Sequence, residues 1–259
     1  MMIDSVLDRP EVLRVLFYPR REEEPGFVPP SARPVAFEVE RGLTIGGRLY
    51  PAGVRAPAVL FFHGNGEIAA DYDDLAPLYT RLGITLLVAD YRGYGTSGGT
   101  PTASHLLADA LTIFGQAGRV VEGCGLAPPR LYVMGRSLGS AAAIEVALRA
   151  GEQLAGLIVE SGFADTFGLL ARLGLRVVGA DEERDGLSNA VKMSHIRTPT
   201  LVIHGHCDVL IPASDGQELY RRCAAADKRL VLIPGAGHND LMLVGVADYF
   251  EAIRAFVQR

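Results

Sequence analysis

The sequence predicts an α/β protein with a mostly parallel, eight-stranded sheet covered by helices on both faces. From residue 57 onward, short apolar runs typical of buried strands alternate with longer helical stretches, which is the order expected of parallel strands joined by crossover helices. The run at 58–62 is apolar throughout, as expected of a central strand buried on both faces. Before this region, two stretches with alternating apolar residues flank a turn at 40–42 and predict an antiparallel hairpin.

Eight strands and five helices account for most of the chain. The strands are expected at 35–39, 43–50, 58–62, 84–88, 131–134, 157–159, 201–203 and 230–233. The helices are expected at about 68–82, 102–122, 138–150, 213–225 and 242–257. Because ligand sites of such sheets lie beyond the carboxyl ends of the strands, side chains that directly follow a strand are the first candidates for function.

Residues 1–34 differ from the rest and predict an N-terminal helix followed by an extended strap. Residues 4–17 carry apolar side chains on one side of a helix, in which Pro10 must start a new helix or break the old one. We expect this helix to pack against the domain; the alternative is an amphipathic helix at a membrane surface. Prolines and charges at 20–34 predict the extended strap, which leaves 35–259 as one α/β domain.

Composition and charge argue against a nucleic-acid-binding or membrane-anchored protein. The 259 residues are 49% hydrophobic and 21% charged, as in globular proteins, and the net charge of −5 argues against nucleic acid as a partner. No apolar run approaches the ~20 residues that span a bilayer, and the first residues do not match a signal peptide, so no stable membrane anchor is expected. The three cysteines, Cys124, Cys207 and Cys223, are unpatterned, which favours a reducing, cytoplasmic location.

The main functional signal is the G-x-S-x-G motif at 135–139, centred on Ser137. It lies between a predicted strand and a predicted helix, which is the position of a nucleophile elbow. A serine on so tight a turn adopts strained backbone geometry, and the residues two before and two after it must lack bulky side chains. Gly135 and Gly139 meet that requirement, and the alanines at 141–143 allow the helix to pack closely against the sheet.

Two backbone N–H groups are candidates for an oxyanion hole, the pair of donors that binds the negative oxygen of an acyl-transfer intermediate. Asn65 lies between two glycines directly after the strand at 58–62, so its N–H can turn into the site. Leu138 follows the candidate nucleophile at the start of a helix. We therefore expect Asn65 and Leu138 to supply the two donors.

A serine hydroxyl needs an imidazole to accept its proton, and a carboxylate must orient that imidazole. His238 is the best placed of six histidines, in the loop between the last strand and the last helix. Asp208 follows the preceding strand and produces the chain order serine, aspartate, histidine. Glu160, at the end of an earlier strand, is the main alternative to Asp208, and Asp165 and Asp240 are weaker ones. The predicted catalytic residues are Ser137, Asp208 and His238.

These positions resemble the α/β-hydrolase fold from about residue 35 to the C-terminus, and within it the small, nearly capless branch of serine hydrolases. The segments that carry the resemblance are His-Gly-Asn-Gly at 63–66, Asp-Tyr-Arg-Gly-Tyr-Gly-Thr-Ser at 90–97, the elbow at 135–139 and Gly-Ala-Gly-His-Asn-Asp at 235–240. That branch includes protein depalmitoylating thioesterases of eukaryotes and many bacterial hydrolases. The resemblance implies Ser137, Asp208 and His238 as a catalytic triad, with Asn65 and Leu138 as oxyanion donors. The N-terminal cysteine cluster that anchors the depalmitoylases to membranes is missing from this sequence.

The resemblance also implies a short cap segment at about 163–195 and therefore an open site. Apolar residues of this segment are candidates to wall an acyl pocket or to pack on the sheet in a crossover helix; they are Phe163, Phe167, Leu169, Leu170, Leu173, Leu175, Val177 and Val178.

For residues 90–99 we favour a structural role over contact with substrate. We also expect Arg136 and Glu160 to form an ion pair that braces the elbow.

We predict a serine hydrolase that cleaves a carboxylic ester or thioester through an acyl-enzyme intermediate and needs no cofactor. The expected partner is a small-molecule acyl ester or thioester. A serine peptidase or amidase with the same three residues is the first alternative. A metal-dependent hydrolase is a second, because His204, His206 and Asp208 have the spacing of a metallo-hydrolase ligand motif. A non-catalytic binding module on the same fold is a third.

Overall fold

A computed structural model describes residues 5–22 and 26–259. Eight strands form one sheet: β1 Arg33–Glu40, β2 Leu43–Tyr50, β3 Ala58–Phe62, β4 Thr85–Ala89, β5 Leu131–Arg136, β6 Gly156–Glu160, β7 Thr200–Gly205 and β8 Lys228–Ile233. Their order across the sheet is β1-β2-β4-β3-β5-β6-β7-β8. β2 is antiparallel to both of its neighbours, and every other neighbouring pair is parallel. The predicted hairpin and the mostly parallel sheet are both confirmed.

Helices cover both faces of this sheet. They are α1 Pro10–Leu16, α2 Ala76–Arg81, α3 Ala103–Gly123, α4 Gly139–Ala150, α5 Thr166–Arg172, α6 Glu182–Asp185, α7 Asn189–Met193, α8 Ala213–Arg222, α9 Leu241–Val244 and α10 Val246–Val257. Buried side chains of α1, α3, α4 and α8 form a core on one face, and those of α2 and α10 form a core on the other. The strands between the two cores are apolar on both sides, which explains why β3 and β4 are buried along their whole length.

The N-terminal helix is shorter than the predicted 4–17. A 3-10 turn at Val6–Asp8 comes first, and α1 begins at Pro10, because proline has no N–H to donate and fits the first turn of a helix. Val12 and Leu16 are buried in the core that α3 shares, so the expected packing against the domain is confirmed. Residues 3 and 4 and residues 23–25 of the strap lie outside the described residues. None of the described helices has both the length and the apolar character needed to span a bilayer.

Two predicted helices are interrupted. The stretch 68–82 forms a 3-10 turn and the short α2, because Pro77 restricts the start of the helix to its own position or the one before. The stretch 242–257 forms α9 and α10, which are separated at Gly245. A β-carbon at Gly245 would lie 2.2 Å from Ile233 Cγ2, so the chain passes too close to β8 for a larger residue.

The predicted cap segment contains α5, α6 and α7 and lies between β6 and β7. Its first half joins the core, since Phe163 and Leu170 are fully buried, whereas Leu173 is 39% and Val178 is 96% exposed. The buried members therefore follow the second of the two predicted alternatives, packing on the sheet in a crossover helix.

Candidate active site

Ser137 lies in a sharp turn between β5 and α4. Its φ of 51° is in the left-handed region, which non-glycine residues rarely adopt. The Ser137 N–H donates to Glu160 O at 2.9 Å, and the Ser140 hydroxyl donates to Ser137 O at 2.6 Å. The strained turn is thus held by bonds to the neighbouring strand and to the first turn of the helix.

Both glycines of the motif are required by close backbone approach. A β-carbon at Gly135 would lie 2.2 Å from Gly139 O, and one at Gly139 would lie 2.1 Å from Phe62 O. Both nearest atoms belong to the backbone, which cannot rotate away as a side chain can. This geometry confirms the prediction that residues 135 and 139 must lack bulky side chains.

The three predicted catalytic side chains lie together at the carboxyl edge of the sheet. Ser137 Oγ is 2.9 Å from His238 Nε2, and His238 Nδ1 is 2.7 Å from Asp208 Oδ2. The Nδ1–H of the imidazole donates to the carboxylate, so Nε2 presents its lone pair to the serine hydroxyl. This arrangement is able to remove a proton from Ser137 Oγ as the oxygen attacks an electrophile.

The carboxylate of Asp208 is held on both oxygens. Its Oδ1 accepts from the N–H groups of Leu210 at 2.9 Å and Ile211 at 2.8 Å, while Oδ2 faces His238. Burial opposes ionisation, but hydrogen bonds from His204, His238 and the Ile211 N–H outweigh it and hold the pKa of Asp208 well below its ordinary value. Asp208 is therefore a carboxylate at neutral pH.

The other candidate carboxylates make different contacts. Glu160 is 1% exposed, and its Oε2 accepts from the Tyr249 hydroxyl at 2.7 Å. Asp240 accepts from a backbone N–H in its own loop at 2.6 Å, and Asp165 caps the start of α5. Among the described residues only Asp208 bonds to the His238 ring through a carboxylate.

The predicted oxyanion donors lie on two loops that begin side by side, because Phe62 at the end of β3 pairs with Gly135 of β5. Asn65 follows β3, and Leu138 precedes α4. Across residues 5–22 and 26–259, neither the Asn65 N–H nor the Leu138 N–H donates a hydrogen bond to another protein atom. Two unpaired backbone donors on loops that flank the candidate nucleophile match the requirement of an oxyanion hole.

Arg136 joins the loops around the serine through a buried ion cluster. Its Nε lies 3.2 Å from Glu160 Oε1, which confirms the predicted ion pair, and its Nη1 also pairs with Glu67. Its Nη2 donates to His238 O at 3.0 Å and to Asn239 Oδ1 at 2.8 Å. Burial disfavours the charged form, but Glu67 and Glu160 outweigh this effect and raise the pKa of Arg136.

Sequence reasoning missed Glu67 and Asn239, although one signal was present. An arginine inside the elbow motif is forced close to the sheet, and a buried guanidinium needs several acceptors. Glu67 follows the glycine turn that carries Asn65, and Asn239 directly follows the candidate base.

A cavity of about 200 Å³ lies beside His238 and is bordered by Glu67, Arg136 and Met242 among others. It offers both charged and apolar walls to a bound group.

The metal-hydrolase alternative finds no support in the donor arrangement. His204 is fully buried, and its Nε2 donates to Ile211 O at 2.8 Å, whereas His206 is exposed. Both oxygens of Asp208 already accept hydrogen bonds. Over the described ranges, no group of three or more histidine, cysteine or acidic side chains is arranged to hold a metal ion.

Comparison with known proteins places these features in a family. Residues 54–181 and 184–242 match the Hydrolase_4 family, described as serine aminopeptidase, S33. An uncharacterized protein of Mycobacterium tuberculosis is 32% identical over an alignment of 260 positions, and this alignment covers 94% of this chain and 86% of that protein. Human alpha/beta hydrolase domain-containing protein 17B is 32% identical over 209 residues, covering 78% of this chain and 66% of the human protein.

Solved structures share the fold at lower identity. A Pyrococcus furiosus esterase superposes with a TM-score of 0.74 at 20% identity, over 93% of this chain and 98% of the esterase. Est1E from Butyrivibrio proteoclasticus superposes with a TM-score of 0.67 at 19% identity, over 87% of this chain and 99% of its own. From the family match, the relatives and the shared fold, we conclude that the protein is a hydrolase of the α/β-hydrolase superfamily and belongs to the Hydrolase_4 family.

Proposed function

We propose that the protein is a serine hydrolase that cleaves a carboxylic ester or thioester of a small molecule through an acyl-enzyme intermediate. The observation that carries the proposal is the continuous hydrogen-bonded series from Ser137 Oγ to His238 Nε2 at 2.9 Å and from His238 Nδ1 to Asp208 Oδ2 at 2.7 Å. Serine hydroxyls are weak nucleophiles, and this arrangement is the one that activates them.

In the proposed reaction, His238 accepts the proton of Ser137 while Oγ attacks the acyl carbonyl. The negative oxygen of the tetrahedral intermediate binds to the N–H groups of Asn65 and Leu138. His238 then transfers the proton to the leaving alcohol or thiol as the carbon to leaving-group bond breaks, which leaves an acyl group on Ser137. Asp208 remains a carboxylate and stabilises the imidazolium that forms in each half of the reaction.

The second half of the reaction repeats these steps with water. His238 accepts a proton from a water molecule, whose oxygen attacks the acyl-enzyme carbonyl. The same two N–H groups bind the new oxyanion, and collapse releases the carboxylic acid and returns the proton to Ser137 Oγ. Besides the substrate and water, every group that acts in these steps belongs to the chain.

A serine aminopeptidase or amidase is the second candidate, because the matched family is described as serine aminopeptidase, S33. Its chemistry uses the same nucleophile, base and donors, but the leaving group is an amine, which must be protonated before it departs. The two candidates therefore differ in substrate and not in the residues that act.

The test is hydrolysis of two substrate series by the purified protein. One series contains nitrophenyl esters and acyl thioesters of increasing chain length, and the other contains aminoacyl nitroanilides. The proposal expects turnover of the first series and a preference for one range of acyl length. Turnover of nitroanilides with a kcat/KM at least as high as for esters would favour the peptidase.

The role of Ser137 is tested with a fluorophosphonate probe and a matched pair of variants. Ser137→Ala should reduce kcat by at least about 10³-fold and abolish labelling, because no other group replaces the nucleophile. Ser161→Ala is the control: this serine also has a left-handed φ, of 46°, at the end of the neighbouring β6, and its buried hydroxyl has no partner in the described chain. If Ser137→Ala kept more than a few per cent of wild-type activity, the proposal would be wrong.

A further inference from the structure

Asn65 is anchored by a segment remote from it in the sequence. Its Oδ1 accepts from the Tyr94 hydroxyl at 2.7 Å and from the Tyr18 N–H at 2.7 Å. The Tyr18 N–H also lies 2.9 Å from Tyr94 Oη, so the three polar groups close a triangle. Tyr94 is fully buried, and burial raises the pKa of its hydroxyl, which therefore remains a neutral donor. We call the two groups that hold Asn65 Oδ1, the Tyr94 hydroxyl and the Tyr18 N–H, the Asn65 anchor.

Glycines on both sides of Asn65 give its backbone more conformational freedom than other residues would, so hydrogen bonds to the rest of the protein are needed to fix the loop. Its flanks are tied elsewhere: the Gly64 N–H donates to Glu67 Oε2 at 2.9 Å, and Arg20 Nε donates to Gly66 O at 3.1 Å. Asn65 itself makes hydrogen bonds only through its side chain, as far as the described residues show. The side-chain hydrogen bonds of Asn65 therefore add to the flanking bonds in fixing the direction of its N–H.

The N-terminal segment and the segment that contains Tyr94 support each other. The Gly95 N–H donates to Arg20 O at 2.8 Å, and the Glu22 N–H donates to Gly95 O at 3.2 Å. The aromatic ring of Tyr94 packs against His63 and Tyr91, with ring centroids 5.7 Å and 5.5 Å away. The hydroxyl therefore has a rigid base from which to hold Asn65.

We propose that Tyr94 is a positioning residue of the oxyanion hole, which acts by holding the Asn65 side chain so that the Asn65 N–H points at the developing oxyanion. The inference rests on the proposed function, since it assigns the support of a donor used in that reaction. Oxyanion donors lower the barrier because they are fixed before charge develops, and a donor displaced by about 1 Å loses much of this effect.

Tyr94→Phe isolates the hydroxyl, because phenylalanine keeps the ring packing. We expect kcat to fall about 10- to 100-fold while KM for the best nitrophenyl ester changes by less than about 3-fold, since the ground-state carbonyl gains little from the donor. Tyr132→Phe is the matched control: this buried hydroxyl donates to Val257 O at 3.0 Å, at the opposite end of β5 from the serine. Its kcat should stay within about 3-fold of wild type.

A double-mutant cycle distinguishes positioning from general loosening. Asn65→Ala keeps the backbone N–H but removes the bonds from both Tyr94 and the Tyr18 N–H, so it should lower kcat at least as much as Tyr94→Phe. If Tyr94 acts through Asn65, the double variant should be no slower than Asn65→Ala within about 3-fold. The midpoints of the kcat/KM pH profile should not move in any of the three, because Asp208 and His238 are untouched. If Tyr94→Phe does not fold, Asn65→Ala and its pH profile still test the anchor.

Three results would overturn the inference: a kcat of Tyr94→Phe within about 3-fold of wild type, additive losses in the double variant, or a shifted pH profile. Ser137→Ala separates this failure from failure of the proposed function. If Ser137→Ala is inactive and Tyr94→Phe is fully active, only the role of Tyr94 is wrong. If Ser137→Ala is as active as wild type, the proposed function is wrong and the inference falls with it.

Discussion

Gly139→Ala tests the geometry of the site more directly than removal of a catalytic side chain, because it moves backbone donors and leaves every catalytic group present. The added methyl carbon would lie 2.1 Å from Phe62 O and 2.6 Å from His63 O. Real contacts of this kind essentially never fall below 3.0 Å, so the gap to Phe62 O must widen by about 0.9 Å. Both oxygens are backbone atoms, and the movement must therefore separate the start of α4 from the loop after β3.

These two pieces of chain carry the two proposed oxyanion donors, Leu138 and Asn65. Separating them by about 1 Å should reduce kcat/KM for nitrophenyl esters by about 10²-fold. Overpacking should also lower the free energy of unfolding by ~1–3 kcal/mol. The activity is measured by steady-state hydrolysis and by the rate of fluorophosphonate labelling of Ser137, and the stability by urea denaturation.

Gly115→Ala is the matched control, because the same atom is added to an exposed glycine inside α3 with nothing within 4 Å. Alanine is the better helix former, so this variant should gain roughly 0.5–1 kcal/mol of stability and keep wild-type activity. The reasoning is refuted if Gly139→Ala loses stability as expected but retains kcat/KM within about 3-fold of wild type. In that case the close contact would not set the spacing of the two donors.

Two further predictions concern the carboxylates. Asp208→Asn should lower kcat by roughly 10³- to 10⁴-fold, because asparagine no longer selects the correct tautomer of His238. The variant should stay folded, because the asparagine oxygen still accepts from the Leu210 and Ile211 N–H groups. Steady-state kinetics and circular dichroism check these two expectations, and a loss of kcat below about 10-fold would contradict the role of Asp208. Burial raises the pKa of Glu160 above its ordinary 4.5, partly offset by Arg136 and Tyr249, so the folded protein retains this proton where the unfolded chain has lost it. The free energy of unfolding of wild type, relative to that of Glu160→Gln, should therefore fall as pH rises from about 4.5. Urea denaturation of both proteins between pH 4 and pH 8 measures this difference, and a difference that stays constant or grows with pH would contradict the prediction.

Local patterns predicted the elements that depend on local physics. The run at 58–62 is apolar because β3 lies between two cores, and that requirement appears in the sequence as an unbroken stretch. The two glycines of the elbow are needed because backbone atoms approach within 2.2 Å of where a side chain would start. The helices predicted at 68–82 and 242–257 are interrupted instead of continuous. Pro77 limits where the first helix can start, and a close contact between Gly245 and β8 interrupts the second.

The choice among carboxylates shows the limit of such reasoning. Asp208 and Glu160 both follow parallel strands, and sequence position alone left both open. They differ in their surroundings: Asp208 lies 2.7 Å from the imidazole of His238, while Glu160 is enclosed with Arg136 and Tyr249. Chain order favoured the first residue, but the contacts that separate the two come from helices and loops far away in the sequence.

By itself the sequence determined the α/β class, the strand-to-helix serine with its flanking glycines, and the residue types that serine chemistry needs, because periodicity and steric exclusion act between near neighbours in the chain. Only the tertiary structure decided which of these residues meet. Ser137 and His238 are 101 positions apart, and Tyr94 and Asn65 are 29 apart, yet each pair is within hydrogen-bond distance. Such contacts depend on the order of strands across the sheet, and strand order is set by the packing of the whole domain.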